Sequence, residues 1–118
     1  MRTLFRILIC ITIIGCYNEP NEVNFEIWNT NSIYITDIKI SNGTNIIHID
    51  TLESNGKKEV NLKFIDVPII DGSYQLNYKI GLEEHFKNFG YYSNGVPTNS
   101  IYTCIIKNDT ILIKETMK

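Results

Sequence analysis

Apolar and polar residues alternate with a period of two along much of this chain. Val23, Phe25 and Ile27 share one face of such a pattern, and the pattern returns over a longer stretch from Tyr74 to Ile80. Successive side chains of a β-strand point to opposite faces, so this period predicts half-buried strands. The composition agrees, because the chain contains no alanine and is rich in isoleucine, which favours strands over helices. The sequence therefore predicts an all-β protein.

Turn signals separate these stretches at short intervals. Asn42-Gly43 lies between two apolar β-branched runs, which is the strongest short-range signal for a hairpin. A change of phase in the preceding run predicts a β-bulge near Thr36-Asp37. A last hairpin is predicted around Asn108-Asp109. We expect about seven or eight strands in a small antiparallel β-sandwich of the immunoglobulin-like kind, with a small β-barrel as the alternative.

The segment from Gly81 to Gly90 fits two different structures. Leu82, Phe86 and Phe89 have helical spacing, whereas residues 86–92 also have the character of a strand that enters a bend at Gly90. Residues 94–99 are rich in turn formers and predict an exposed loop.

Four aromatic residues occur within seven positions of this segment. We expect Phe86 and Phe89 to fill the core of the sandwich. Tyr91 and Tyr92 either cover the edge of that core or, together with Asn94, form a surface that binds a glycan or a partner protein. Tyrosine combined with Asn and Ser is typical of such binding loops.

The first sixteen residues have the organisation of an export signal. Arg2 and Arg6 precede an apolar run over 7–14, and the small Gly15 comes before Cys16. The run is much shorter than the ~20 apolar residues that a membrane-spanning helix needs. The sequence Ile13-Ile14-Gly15-Cys16 resembles the lipobox of bacterial lipoproteins, in which the chain is cut before the cysteine and the cysteine sulfur carries a diacylglycerol.

That resemblance implies an organisation for the whole chain. Residues 1–15 would be a removed signal peptide, residues 16–22 a lipidated cysteine with a short tether, and residues 23–118 a single domain. Cys16 would anchor the protein to a membrane through its acyl chains. By analogy with enterobacterial lipoproteins, Tyr17 in place of aspartate favours the outer membrane, while the periplasmic and surface faces both stay open.

Charge and motifs limit the classes of function. Both arginines precede the predicted cut, so the mature chain carries 9 lysines against 13 acidic residues, a net charge of −4. This balance offers no basic surface for nucleic acid. The sequence has no nucleophile elbow, no phosphate-binding glycine loop and no His-x-x-x-His or Cys-x-x-Cys pair. We therefore expect a monomer that is not an enzyme, with no catalytic residue, metal or cofactor.

A few residues carry further expectations. Glu83, Glu84 and His85 form a weak candidate for a cation site, with solvated loop charge as the competing interpretation. Cys104, left without a disulfide partner once the signal is removed and Cys16 is lipidated, is expected to be a buried thiol. Thr51 and Thr110 are candidate glycosylation sites, because each lies in a tripeptide that resembles the Asp-Ser/Thr-apolar motif of secreted Bacteroidota proteins.

The expected function is that of a lipid-anchored, non-catalytic binding module of the bacterial cell envelope, with a protein or glycan partner. The alternative is a periplasmic immunity or inhibitor lipoprotein that neutralises a toxin or hydrolase. An acidic surface suits that alternative, because it steers association with a basic enzyme.

Overall fold

The computed structural model describes residues 21–108 and 110–118, and strands are the only regular secondary structure in this part of the chain. It contains nine strands: β1 (Glu22–Asn29), β2 (Ile35–Ser41), β3 (Ile46–Leu52), β4 (Lys57–Lys63), β5 (Gly72–Ile80), β6 (Glu83–Ser93), β7 (Val96–Pro97), β8 (Ser100–Lys107) and β9 (Thr110–Met117). The all-β prediction is confirmed. The same described residues include no helix long and apolar enough to cross a bilayer.

The strands form two sheets that pack face to face. One sheet has the strand order β4-β1-β8-β9 and the other β3-β2-β5-β6-β7. Neighbouring strands are antiparallel except for β1 and β8, which run parallel. The predicted small β-sandwich is confirmed, with nine strands instead of seven or eight. Its strands are divided between the sheets differently from those of an immunoglobulin constant domain, in which the first two strands share a sheet.

The core between the sheets is centred on a cluster of aromatic rings. Phe25 lies with its ring centroid 5.1 Å from that of Tyr74, 5.8 Å from Phe89 and 5.7 Å from Tyr102. Aromatic pairs at such separations contribute about 0.5–1.5 kcal/mol each beyond the burial of their area. Phe25 and Tyr102 belong to the four-stranded sheet, and Tyr74 and Phe89 to the other. The cluster therefore joins the two layers.

The bulge predicted near Thr36-Asp37 is confirmed. Thr36 pairs with Lys79 and Lys39 pairs with Asn77, so β2 has one more residue than β5 between these two pairs. Asp37 adopts a φ of 51°. An extra residue on one strand shifts the phase of the side chains that follow, which explains why the apolar positions of β2 change face.

Two predicted hairpins are also confirmed. The first joins β2 to β3 through residues 42–45, and the buried Asn42 stabilises it by accepting hydrogen bonds from the backbone amides of Thr44 and Asn45 at 2.9 and 2.7 Å. The second joins β8 to β9, with Lys107 paired to Thr110. Asp109, the other residue named in this prediction, lies outside the described residues.

The ambiguous segment after Gly81 is a strand, so the helical alternative is wrong. β6 pairs along the whole of β5, from Ile80 with Glu83 to Gly72 with Tyr92. The exposed loop predicted over residues 94–99 is wrong in part, because β7 pairs with the end of β6 and Pro97 is buried. Residues 94–95 make the turn between these two strands.

We call the end of the sandwich where β1 begins the proximal end, and the end where β1 finishes the distal end. The proximal end comprises residue 21 and the connections 42–45, 64–71 and 94–95; the distal end comprises residues 30–34, 53–56 and 81–82. Glu22 already pairs with Lys63, so the sheet begins one residue before the predicted domain boundary at 23. The predicted signal peptide and Cys16 lie outside the described residues.

The distal end is organised around Asn29, which is fully buried. Its Nδ2 lies 2.9, 3.1 and 3.1 Å from the carbonyl oxygens of Ile33, Leu52 and Glu53, to which it donates. Its Oδ1 accepts hydrogen bonds from the backbone and side-chain amides of Asn31 at 3.0 and 2.9 Å. Because buried polar groups need partners, this one amide holds the loop before β2 against the end of β3.

Candidate functional site

The outward face of the five-stranded sheet carries a row of side chains that differs from an ordinary solvated surface. Cross-strand pairing aligns four residues from β3 through β2 and β5 to β6: His48, Lys39, Asn77 and Phe86. Phe86 is 69% exposed at the end of this row. The row places an aromatic ring beside an amide, an ammonium group and an imidazole. These groups together can stack on a ligand and form hydrogen bonds with it.

A shallow groove of ≈ 220 Å³ follows the middle of this row, lined by Lys39, Asn77 and Phe86 with Lys79 and Glu84 beside them. Pockets that enclose small ligands usually measure about 300–1,000 Å³. A ligand would therefore lie across this groove, with one side still in solvent. The Oδ1 atom of Asn77 is shielded and accepts no hydrogen bond from the described residues. The groove thus has an unused acceptor in its lining.

A cluster of charges borders the groove at the β2 bulge. Asp37 Oδ1 lies 2.9 Å from His48 Nε2 and 3.7 Å from Lys39 Nζ, and Asp37 Oδ2 lies 3.5 Å from Lys79 Nζ. The hydrogen bond with His48, together with the two lysines, lowers the pKa of the Asp37 carboxyl below its ordinary value. Asp50 approaches the other ring nitrogen of His48 at 3.4 Å. These groups are exposed or half-exposed, so the cluster orients side chains more than it stabilises the fold.

The predicted aromatic segment is divided by a second bulge, at Gly90. Tyr74 pairs with Phe89 and Gly72 with Tyr92, so β6 contains one more residue than β5 between these pairs, and Gly90 has a φ of 69°. The extra residue lets both Phe89 and Tyr92 point into the core. Their side chains are 8% and 4% exposed.

In this segment one sequence prediction is wrong and one open alternative is decided. Phe86, expected in the core, faces solvent because it pairs with the outward Asn77. Tyr92, for which core edge and binding surface were the two alternatives, is buried, and its hydroxyl donates a hydrogen bond of 2.9 Å to the Asn42 carbonyl. Tyr92 therefore holds the β2–β3 hairpin and has no accessible face for a partner. Phe89 lies in the core as predicted.

The other two predicted binding residues, Tyr91 and Asn94, lie on the surface and meet at one carboxylate. The backbone amide of Asn94 donates to Asp71 Oδ1 at 3.1 Å. This hydrogen bond, followed by one from the Tyr91 side chain, lowers the pKa of Asp71 below its ordinary value. Tyr91 is 52% exposed. The structure thus brings Tyr91 and Asn94 together at the proximal end, away from the groove lined by Lys39, Asn77 and Phe86.

The weak cation site considered at Glu83, Glu84 and His85 is not assembled. These residues alternate along β6, so Glu84 lies on the opposite face from its neighbours and reaches Lys79 at 3.7 Å. The ring of His85 stacks on Tyr78 with centroids 5.1 Å apart. Within 21–108 and 110–118, no group of three or more His, Cys, Asp or Glu side chains is placed to hold a metal ion.

The remaining predicted residues behave as follows. Cys104 is a free thiol with no exposure, as expected, and burial raises its pKa to about 12, so it is not poised as a nucleophile. Thr51 on β3 and Thr110 at the start of β9 are both exposed. They are accessible, and their modification stays a prediction.

The outward face of the other sheet carries a second exposed apolar row. Trp28 lies beside Ile105 on β8, which pairs with Leu112 on β9, and Lys57 Nζ sits 4.3 Å from the centre of the Trp28 ring. Leu112 is 53% exposed. This row was not predicted from the sequence. The alternation of β1 could have revealed the row, because it places Trp28 on the face opposite the inward Val23, Phe25 and Ile27.

Comparison with known proteins gives matches among solved structures and none among sequences. No protein-family model matches the chain, and no curated protein sequence matches it. Among solved structures, the chain resembles an NMR structure of a protein from Eubacterium rectale, with a TM-score of 0.49 and 10% sequence identity over 83% of this chain and 91% of that one. A likeness this distant concerns the arrangement of strands alone.

Proposed function

We propose that the protein is a lipid-anchored, non-catalytic binding module of the bacterial cell envelope, and that the groove beside Phe86 is its binding surface. The observation that carries the proposal is the exposed Phe86 ring at the end of a row of polar side chains. Leaving such a ring in water forgoes the ~2–3 kcal/mol that burial of a phenylalanine contributes. A ligand that covers the ring would recover part of that free energy.

The groove chemistry fits a glycan. A sugar ring presents an apolar C–H face that can stack on an aromatic side chain and hydroxyl groups that can pair with amides and charged groups. Around Phe86, the lysines Lys39 and Lys79 supply donors, and the side-chain amide of Asn77 lies in the lining between them and the ring. The shallow groove suits an extended chain that lies across the sheet.

Replacing Phe86 with alanine should weaken glycan binding by about tenfold, the ~1.4 kcal/mol typical of a moderately important contact residue. The measurement is a glycan array probed with the full chain, followed by titration of the best ligand. Leu112→Ala is the matched control, because it also removes an exposed apolar side chain from an outward sheet face. Equal binding by wild type and Phe86→Ala would contradict the groove as the site. Loss of binding in Tyr91→Ala alone would place the site at the proximal corner with Asn94.

The lipid anchor has its own test. Cys16→Ser should abolish incorporation of a fatty-acid analogue, because only the cysteine sulfur accepts the diacylglycerol. The protein should then leave the membrane fraction, since at least two acyl chains are needed for stable anchoring. Cys104→Ser is the control, because that thiol is buried in the domain. Persistent labelling of Cys16→Ser would refute the anchor.

An immunity or inhibitor role is the second candidate, favoured by one observation on the other sheet. Glu26 on β1 lies directly opposite Glu59 on β4, although like charges in that position destabilise a sheet. A basic partner protein would relieve this repulsion. Rescue of cells from a toxin encoded beside this gene would support that role, and the rescue should then be weaker with Glu26→Gln and Glu59→Gln.

A further inference from the structure

The connection between β4 and β5 is unusually apolar for an exposed segment. Within residues 64–71, Ile65 is 57% exposed, Ile69 82% and Ile70 59%. Phe64 and Val67 point the other way and pack against the core. Loops are normally polar, and contiguous apolar side chains in solvent mark contact surfaces. The three outward isoleucines therefore leave more than half of their surface in solvent.

Three hydrogen bonds hold this connection beside Asn21, where the described chain begins. The Phe64 amide donates to the Asn21 carbonyl at 2.7 Å. The side chain of Asn45 donates to the Ile65 carbonyl and accepts from the Ile65 amide, both at 3.1 Å. The adjacent Ile46 is 65% exposed. We call Ile46, Ile65, Ile69 and Ile70 the isoleucine end.

The short tether limits how far the isoleucine end can lie from Cys16, and therefore which partner can contact it. Cys16 precedes Asn21 by five residues, and each residue spans at most ~3.6 Å, so the two Cα atoms are within about 18 Å of each other. Given the proposed lipid anchor, the isoleucine end must then stay close to the bilayer. A folded partner protein has little room between them.

We infer that the isoleucine end contacts the lipid bilayer and sets the orientation of the anchored domain, an inference that rests on the proposed lipidation of Cys16. Apolar side chains of a surface-bound segment enter the boundary between headgroups and acyl chains by about 5–10 Å. The neighbouring charges do not favour anionic lipid, because Asp66 and Asp71 are both exposed in the same connection. The contact is apolar and needs only neutral phospholipid.

The test places a tryptophan at each end of the domain. The full chain is expressed in bacteria, extracted with its lipid, and reconstituted into vesicles of phosphatidylethanolamine and phosphatidylcholine with brominated acyl chains, which quench tryptophan on contact. Trp28, the only natural tryptophan, is replaced by phenylalanine. Ile69→Trp reports on the isoleucine end. Leu82→Trp is the matched control, because Leu82 is fully exposed at the distal end and β5, with nine residues of ~3.3 Å each, separates the two ends by about 30 Å.

The expected result is a blue shift and at least about a twofold loss of emission for Ile69→Trp, with Leu82→Trp unchanged. Vesicle flotation of the same samples distinguishes a failure of the lipid anchor from a failure of the bilayer contact. If the proteins float with the vesicles and Ile69→Trp is not quenched, the bilayer contact is refuted while the anchor stands. Equal quenching of both tryptophans also refutes it, since the domain would then lie on its side. If the proteins do not float, the anchor and the contact both fail.

Discussion

Replacing Asn29 with alanine should lower the free energy of unfolding by about 3 kcal/mol, because the loss leaves several buried polar groups without partners. The carbonyls of Ile33, Leu52 and Glu53 all accept from the Asn29 amide, and both amides of Asn31 donate to its oxygen. Urea unfolding followed by Trp28 fluorescence measures the change. For a domain of this size, Tm should fall by roughly 15 °C.

Two further substitutions at asparagine sharpen that test. Asn29→Asp should lose at least as much stability at neutral pH, because a carboxylate cannot donate to three carbonyls and its charge is buried. Asn61→Ala is the control, since Asn61 is exposed on β4 and its loss should change stability by less than about 0.5 kcal/mol. A loss below about 1 kcal/mol for Asn29→Ala would show that the distal end holds together without this amide.

Gly90→Ala should destabilise the domain by about 3 kcal/mol through two separate effects. Gly90 has a φ of 69°, and a side chain in this left-handed region costs ~1–2 kcal/mol. A Cβ would also lie 2.8 Å from Tyr74 Cδ2 and 3.0 Å from Tyr102 Cζ, within the central aromatic cluster. Crowding a packed core costs about 1–3 kcal/mol more.

Gly81→Ala separates these two effects. Gly81 has a similar φ of 60°, but a Cβ there would meet nothing within 4 Å. Its alanine variant should therefore lose only the ~1–2 kcal/mol of backbone strain. The measurement is the midpoint of chemical unfolding for both variants under the same conditions. Equal losses would mean that the aromatic rings adjust to the extra methyl group without cost.

Structural features that depend on residues close together in the chain could be predicted from the sequence. The inward faces of β1 and β5 follow from strict alternation, and the hairpin at Asn42-Gly43 follows from its turn chemistry. The bulge at Asp37 was also visible, because the apolar residues on its two sides lie on opposite faces. In each case the signal and the structure occupy the same few residues.

Features that depend on pairing with a distant strand could not be predicted. Phe86 is hydrophobic enough for the core, yet its face is set by Asn77 on β5. The extra residue at Gly90 decides between the two alternatives for Tyr92, and only the register against Gly72 reveals it. The row of His48, Lys39, Asn77 and Phe86 is likewise a product of four paired strands, and no motif in the linear sequence connects its members.

The parallel pairing of β1 with β8 has a consequence for the order of folding. β1 lies inside its sheet, between β4 and β8, so its sheet cannot close before residues 100–107 have been synthesised. Contacts between segments so far apart in the chain slow folding, because the entropy of closing a long loop is lost before the contact forms. This delay leaves the four-stranded sheet incomplete until the last hairpin of the chain, β8 with β9, is available. A truncation before Ser100 would leave one side of β1 unpaired, and we expect such a chain to aggregate.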